Sequence, residues 1–264
     1  ITSSGNQTFT GASSLTGNLT LTAGTGAVTF TGAVSDDGSG RTLTVSGTTG
    51  TTTFGSTVGA SGARLASVSV SGPVSIANNI FTSGNQTYSG AATLTGDSEL
   101  NTSGGSVTFS STVNDNTAGG QSLTVTGNAV FGSTVGATTP LEFVTVTGTA
   151  SIGGNITTDT VGGGTANQTF QGAVTLTADA VLTSTGGGAV SFQSTLNDNG
   201  TAGNANLTVN TTGATTFAGN VGAVNPLTSL TTDAGGTTTL GGSSAFSVTT
   251  TANQSYGDPV TLAQ

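Results

Sequence analysis

The 264-residue chain contains no histidine, lysine, cysteine, methionine or tryptophan. Its only side-chain cations, Arg41 and Arg64, stand against eleven carboxylates, for a net charge of −9. A nucleic-acid partner requires cations to displace phosphate counterions, and two arginines cannot supply them. An anionic membrane surface is disfavoured for the same reason. No apolar run approaches the ~20 residues of a spanning helix. Without cysteine there is no disulfide framework, so the redox compartment is left open. Without histidine or lysine, the usual general bases and substrate-carboxylate clamps are missing, and the acids are scattered singly. Asp36-Asp37 is the one adjacent pair, and neighbouring strand residues point to opposite faces. Catalysis by a polysaccharide-acting β-helix enzyme is therefore disfavoured.

Charged residues make up only 5% of the chain, while glycine accounts for 44 residues. Low charge and abundant glycine suggest disorder, but disordered chains are poor in β-branched and aromatic residues. Here threonine and valine dominate and phenylalanine recurs, as on a pleated, half-buried surface. Stretches such as "LTLTA", "LTVSG", "VSVSG" and "VTVTG" alternate aliphatic residues with Thr or Ser, a period of two. Gly, Asn and Asp between them suit tight corners. No segment carries a 3.6-residue apolar stripe, so no helix is predicted.

A tetrad recurs as "NQTF" at 6–9, "NQTY" at 85–88, "NQTF" at 167–170 and "NQSY" at 253–256. It divides the chain into superrepeats 6–84, 85–166 and 167–252, with a partial copy at 253–264. Phrases of about 20–25 residues, and a shorter fourth, follow in the same order within each copy. A unit of that size cannot bury its apolar face alone but can do so against stacked neighbours. The pattern predicts an all-β chain, a parallel β-solenoid of roughly thirteen rungs of about 20 residues and roughly 60 Å long. The chain starts without an initiator Met and closes twelve residues into the fourth copy, which predicts a segment of a longer repetitive protein.

"TTFGSTVG", "SLTVTG", "IGGNITT" and "GNQTYSGAATLTG" resemble the repeats of filamentous-haemagglutinin-like and autotransporter-type bacterial adhesins, over essentially the whole chain. The resemblance implies a right-handed parallel β-helix shaft, export through the outer membrane, and a place at the bacterial cell surface or outside the cell. It carries over no catalytic residue.

Three acidic loops occupy matching positions, "SDDGSG" at 35–40, "NDNTAGG" at 114–120 and "NDNGTAG" at 197–203. Asp36, Asp37, Asp115 and Asp198 are weak candidates for a structural Ca²⁺, which takes six to eight oxygen ligands. Solvated corners in which Asp and Asn cap their own backbone are the competing reading. Asn6, Asn85, Asn167 and Asn253 open N-x-[ST] sequons and are candidate glycosylation sites, as are six further sequons of the Thr-rich chain. Within the tetrads, Gln7, Phe9, Gln86, Tyr88, Gln168, Phe170, Gln254 and Tyr256 are candidate structural residues. If Tyr88 points inward, alternation turns Gln86 inward as well, with Asn85 and Thr87 outward. The tetrad is then a corner where the rung changes size, and Gln86 bonds backbone groups left unpaired there.

The expectation is a non-enzymatic shaft segment of an adhesin or extracellular fibre, whose partners are neighbouring repeats of the same longer chain. A filament subunit stacking end to end on copies of itself is the alternative. An ice-binding Thr face is a further one, disfavoured because the units differ in length.

Overall fold

In a computed structural model the chain is described at every residue except 48, 161–163, 201–203, 243–244 and 264. The described residues form 29 strands and no helix, and every strand pairing is parallel. Most strands are three residues long, with the first and third buried and the middle one outward. This is the alternation that the Val-Thr-Val phrases require, now closed into coils with the first and third residues inside.

The chain visits three faces in turn. On the first face, Gln7, Val28, Thr52, Val74, Ala92, Val113, Val135, Ile156, Leu182, Val209, Thr232 and Tyr256 follow one another in register. The second runs from Ser13 and Val34 through Leu100, Val146 and Phe192 to Leu262. The third runs from Leu19 through Val68, Gln86, Ala129 and Leu196 to Val248. From Gln7 to Tyr256 the first face takes eleven steps, so the solenoid has about eleven coils rather than the thirteen expected. Reading four units as four coils is what inflated the count.

The reason lies in the superrepeat. Between one tetrad and the next the chain lays down eleven strand positions, which is three and two-thirds coils. Gln7 therefore stands on the first face, Gln86 on the third, Gln168 on the second and Gln254 on the first again. Every feature of the superrepeat turns through one face per copy and returns after three copies.

The core is a continuous column of buried Val, Leu, Ile and Phe. Each superrepeat contributes one stack of three aromatic rings, and each stack lies on a different face. Phe9, Phe30 and Phe54 stack at centroid distances of 4.7 and 5.8 Å. Tyr88, Phe109 and Phe131 do so at 5.2 and 6.0 Å, and Phe170, Phe192 and Phe217 at 5.4 and 5.1 Å. Parallel in-register stacking places identical positions ~4.8 Å apart, and the rings offset to satisfy their quadrupoles. The tetrad aromatic is thus the first ring of each stack.

Rungs of unequal length are accommodated at corners, outside the ladders. Gly59, Gly136 and Gly222 open three equivalent excursions at φ near +70° (70°, 70° and 66°). A Cβ at each would lie within 2.3 Å of a carbonyl oxygen on the next coil (Phe81, Thr157 and Thr249). Only glycine fits both constraints.

Candidate functional site

The tetrad corner repeats one polar arrangement around its glutamine, with three amide bonds at Gln86 and Gln168 and two at Gln7 and Gln254. Gln86 and Gln168 are fully buried, Gln7 is nearly so, and Gln254 is exposed in the last coil. Gln86 Nε2 donates to the carbonyls of Ile80 (3.0 Å) and Asn101 (3.2 Å) and to Thr82 Oγ1 (3.3 Å). Gln168 Nε2 repeats this with Ile156 O, Thr158 Oγ1 and Thr183 O at 3.3, 3.2 and 2.9 Å. Gln7 uses Ser3 Oγ and Thr22 O, and Gln254 uses Val248 O and Thr250 Oγ1. The hydroxyl partner in turn donates to the carbonyl two residues before the glutamine, at Gly5, Gly84, Ala166 and Ala252. A turning chain leaves carbonyls outside the ladder, and burial obliges a donor to meet them. Glutamine reaches them from inside the coil.

This Ser or Thr partner was missed by sequence reasoning. Its signal is a hydroxyl four residues before the glutamine, at Ser3, Thr82 and Thr250; in the third copy an insertion moves it to Thr158.

The tetrad asparagine works on the outer side of the same corner. The Oδ1 atoms of Asn6, Asn85 and Asn167 accept the backbone N–H of Ala27, Ser106 and Ala189, one coil on, at 2.9, 3.1 and 2.8 Å. The device is general: Asn18, Asn79, Asp97, Asn128, Asn155, Asp179 and Asn220 each cap a backbone N–H of the following coil. Asn6, Asn85 and Asn253 are exposed and Asn167 is half-buried, and Thr87 lies outward beside Asn85. The Oδ1 bonds leave the amide nitrogens of Asn6, Asn85 and Asn167 outside this capping.

The acidic loops place their first carboxylate inward. Asp36, Asp115 and Asp198 are all buried. Asp115 accepts backbone N–H groups from Thr117 (3.2 Å), Gly120 (2.9 Å) and Gln121 (2.6 Å). Asp198 accepts those of Asn199, Asn204 and Ala205, and Asp36 that of Gly40. Residues 201–203 of the third loop lie outside the described residues. The carboxylates of the second and third loops are filled by the loop's own backbone, the arrangement of a turn cap, whereas Asp36 is capped at Oδ2 only and its Oδ1 is buried without a partner. Asp37 is exposed and paired with Arg41 at 2.8 Å, which holds its carboxyl well below the usual carboxylate range. Among the described residues no three His, Cys, Asp or Glu side chains cluster in a way that could hold a metal ion.

Arg64 makes the remaining cationic contact. Its Nη1 donates to Asn101 Oδ1 (2.7 Å) and to the carbonyls of Thr82 and Asn101, with the guanidinium 5.6 Å from the centroid of the outward-facing Phe81. Asn101 is itself bound to Glu99, which also accepts from Thr126. The side chain thus braces the 59–65 excursion across two coils.

No protein-family model, curated protein or solved structure matches the chain. No helix among the described residues is long and apolar enough to cross a membrane.

Proposed function

We propose that the chain is a structural shaft segment of a secreted bacterial surface adhesin or extracellular fibre, providing reach and rigidity without catalysis. The observation that supports this reading is the continuity of the three ladders, two of which run in register through eleven steps and the third through ten, over an unbroken apolar core. Rung-on-rung pairing makes length proportional to copy number, and here gives about 53 Å at ~4.8 Å per coil. The buried glutamine corners and Asn caps supply partners for the backbone groups that each turn frees. Arg41 and Arg64 leave trypsin-like proteases two cleavage positions, and both side chains are engaged. The bacterial surface location and the right-handed coil rest on the resemblance of the repeats alone.

The terminal coils favour a second reading, end-to-end stacking into a filament. Val260 and Leu262 are 42% and 70% exposed. A further coil would cover them, whether of the same polypeptide or of a second copy. A panel of glycans and cells probed with the isolated rod tests the spacer role: no saturable binding is expected, and strong saturable binding would overturn it. Sedimentation over a range of concentrations separates the readings, since filament assembly requires growth with concentration.

A further inference from the structure

The four copies of the glutamine corner differ in whether the aromatic carries a hydroxyl. In the second and fourth the aromatic is tyrosine, and its hydroxyl donates to the glutamine Oε1, at 3.0 Å for Tyr88–Gln86 and 3.2 Å for Tyr256–Gln254. In the first and third it is phenylalanine, and the Oε1 atoms of Gln7 and Gln168 are buried without a hydrogen-bond partner in the protein. A buried threonine hydroxyl without a partner accompanies each phenylalanine copy, and the first copy has a third orphaned oxygen, Asp36 Oδ1. Thr52 and Thr215 have buried hydroxyls without a partner, two ladder steps beyond Gln7 and Gln168, across Val28 and Val190. In the tyrosine copy that position, reached from Gln86 across Val107, is Ala129. The tyrosine superrepeat has no orphaned buried oxygen among its described residues.

Buried polar oxygens carry a desolvation penalty unless they are paired, and buried waters that make about three hydrogen bonds are the usual remedy. Room for one follows from comparing the copies. Every corner has the glutamine and its Ser or Thr hydroxyl partner, and in two of them a tyrosine hydroxyl stands beside Oε1 where the other two present only a phenylalanine ring. We propose that superrepeats one and three each bind a buried water at the place the tyrosine hydroxyl takes in the other copies. It donates to Gln7 or Gln168 Oε1; the Thr52 and Thr215 hydroxyls stand two ladder steps further on, about 9.6 Å at ~4.8 Å per step, beyond the reach of that water. The solenoid interior then has discrete water sites at set places along an otherwise dry core, and their number is set by the Phe or Tyr choice at the tetrad.

High-resolution crystal structures of the chain and of two variants, Tyr88→Phe and Phe170→Tyr, test this. The parent should show a solvent peak about 2.7–3.2 Å from Gln168 Oε1. That peak should vanish in Phe170→Tyr, replaced by the new hydroxyl, and a new one should appear beside Gln86 in Tyr88→Phe. In solution, water-oxygen relaxation dispersion should count one fewer long-lived water in Phe170→Tyr and one more in Tyr88→Phe. If Phe170→Tyr does not fold, the parent and Tyr88→Phe still decide the matter. No peak at Gln168 Oε1 in the parent, or none gained by Tyr88→Phe, would overturn the proposal.

Discussion

Replacing Gln86 by leucine keeps the side-chain bulk and removes every polar contact of the glutamine side chain, leaving the Thr82 hydroxyl bonded to the Gly84 carbonyl. Gln86 Nε2 has two hydrogens for three acceptors at 3.0, 3.3 and 3.2 Å, so two bonds are lost at a time. At ~1 kcal/mol net each these contribute about 2 kcal/mol, and the Tyr88 hydroxyl, buried and deprived of its acceptor, adds about 1–3 kcal/mol. The added apolar burial of leucine returns about 1 kcal/mol, leaving a cost of ~3 kcal/mol. A long repeat array does not unfold as a single two-state unit, so the readout should be local. Amide hydrogen exchange at 80–82, 86–88 and 107–109 should accelerate about a hundredfold, at a factor of ten per ~1.4 kcal/mol. Gln254→Leu is the internal control, because the same contacts are solvent-exposed in the last coil, and its effect should stay under about 0.5 kcal/mol. Adding Tyr88→Phe to Gln86→Leu should restore part of the loss, since both partners of the orphaned bond are then gone. Equal effects of Gln86→Leu and Gln254→Leu, or no effect of the former, would refute the reasoning.

The corner glycines give a sharp contrast. Gly136→Ala places a Cβ against the Thr157 carbonyl at positive φ and should cost more than about 2 kcal/mol, whereas Gly38→Ala, at positive φ in open space, should cost about 1 kcal/mol by thermal melting. Burial raises the Tyr88 phenol above its ordinary value of 10.0. The unfolded chain therefore loses this proton first, and stability that is full below about pH 10 should fall above it by ~1.4 kcal/mol per pH unit. Alkaline melts of Tyr88→Phe should lose most of that slope, keeping only the share of the half-buried Tyr256 phenol, which burial also raises; an unchanged slope would place the titration elsewhere. Millimolar Ca²⁺ should leave the melting temperature unchanged, because the oxygens of Asp115 and Asp198 already accept backbone N–H groups; a concentration-dependent rise would contradict that account.

The fold class was legible in the sequence because period-two alternation and the tandem phrases each demand stacked parallel strands. The coil count was not. Phrase boundaries mark similarity between copies, while coil boundaries follow geometry, and "PVSIANNIFTSG" reads as one short unit although Val74 and Ile80 lie on different faces. Inward placement of Gln86 beside Tyr88 follows from alternation alone. Its partners do not, because Asn101 and Thr82 come from different coils and their meeting depends on the register. The acidic loops show the limit in another way. Asp next to Asn and Gly reads alike as a cation cage or a turn cap, and only the direction of Asp115 and Asp198 separates the two.

The central claim is that each superrepeat holds three and two-thirds coils, so that the tetrad turns through one face per copy. Paired cysteines test it directly in a chain that has none of its own. Thr87 stands in register with Ser69 below and Thr108 above, while Ser75 lies on another face beside Thr93. Under mild oxidation the pairs Ser69→Cys/Thr87→Cys and Thr87→Cys/Thr108→Cys should form disulfides, since adjacent parallel strands bring their Cα atoms within bridging range. Ser75→Cys/Thr87→Cys should stay reduced. A disulfide in that last pair, with none in the first, would mean that a whole short coil precedes each tetrad and that the tetrads do not rotate.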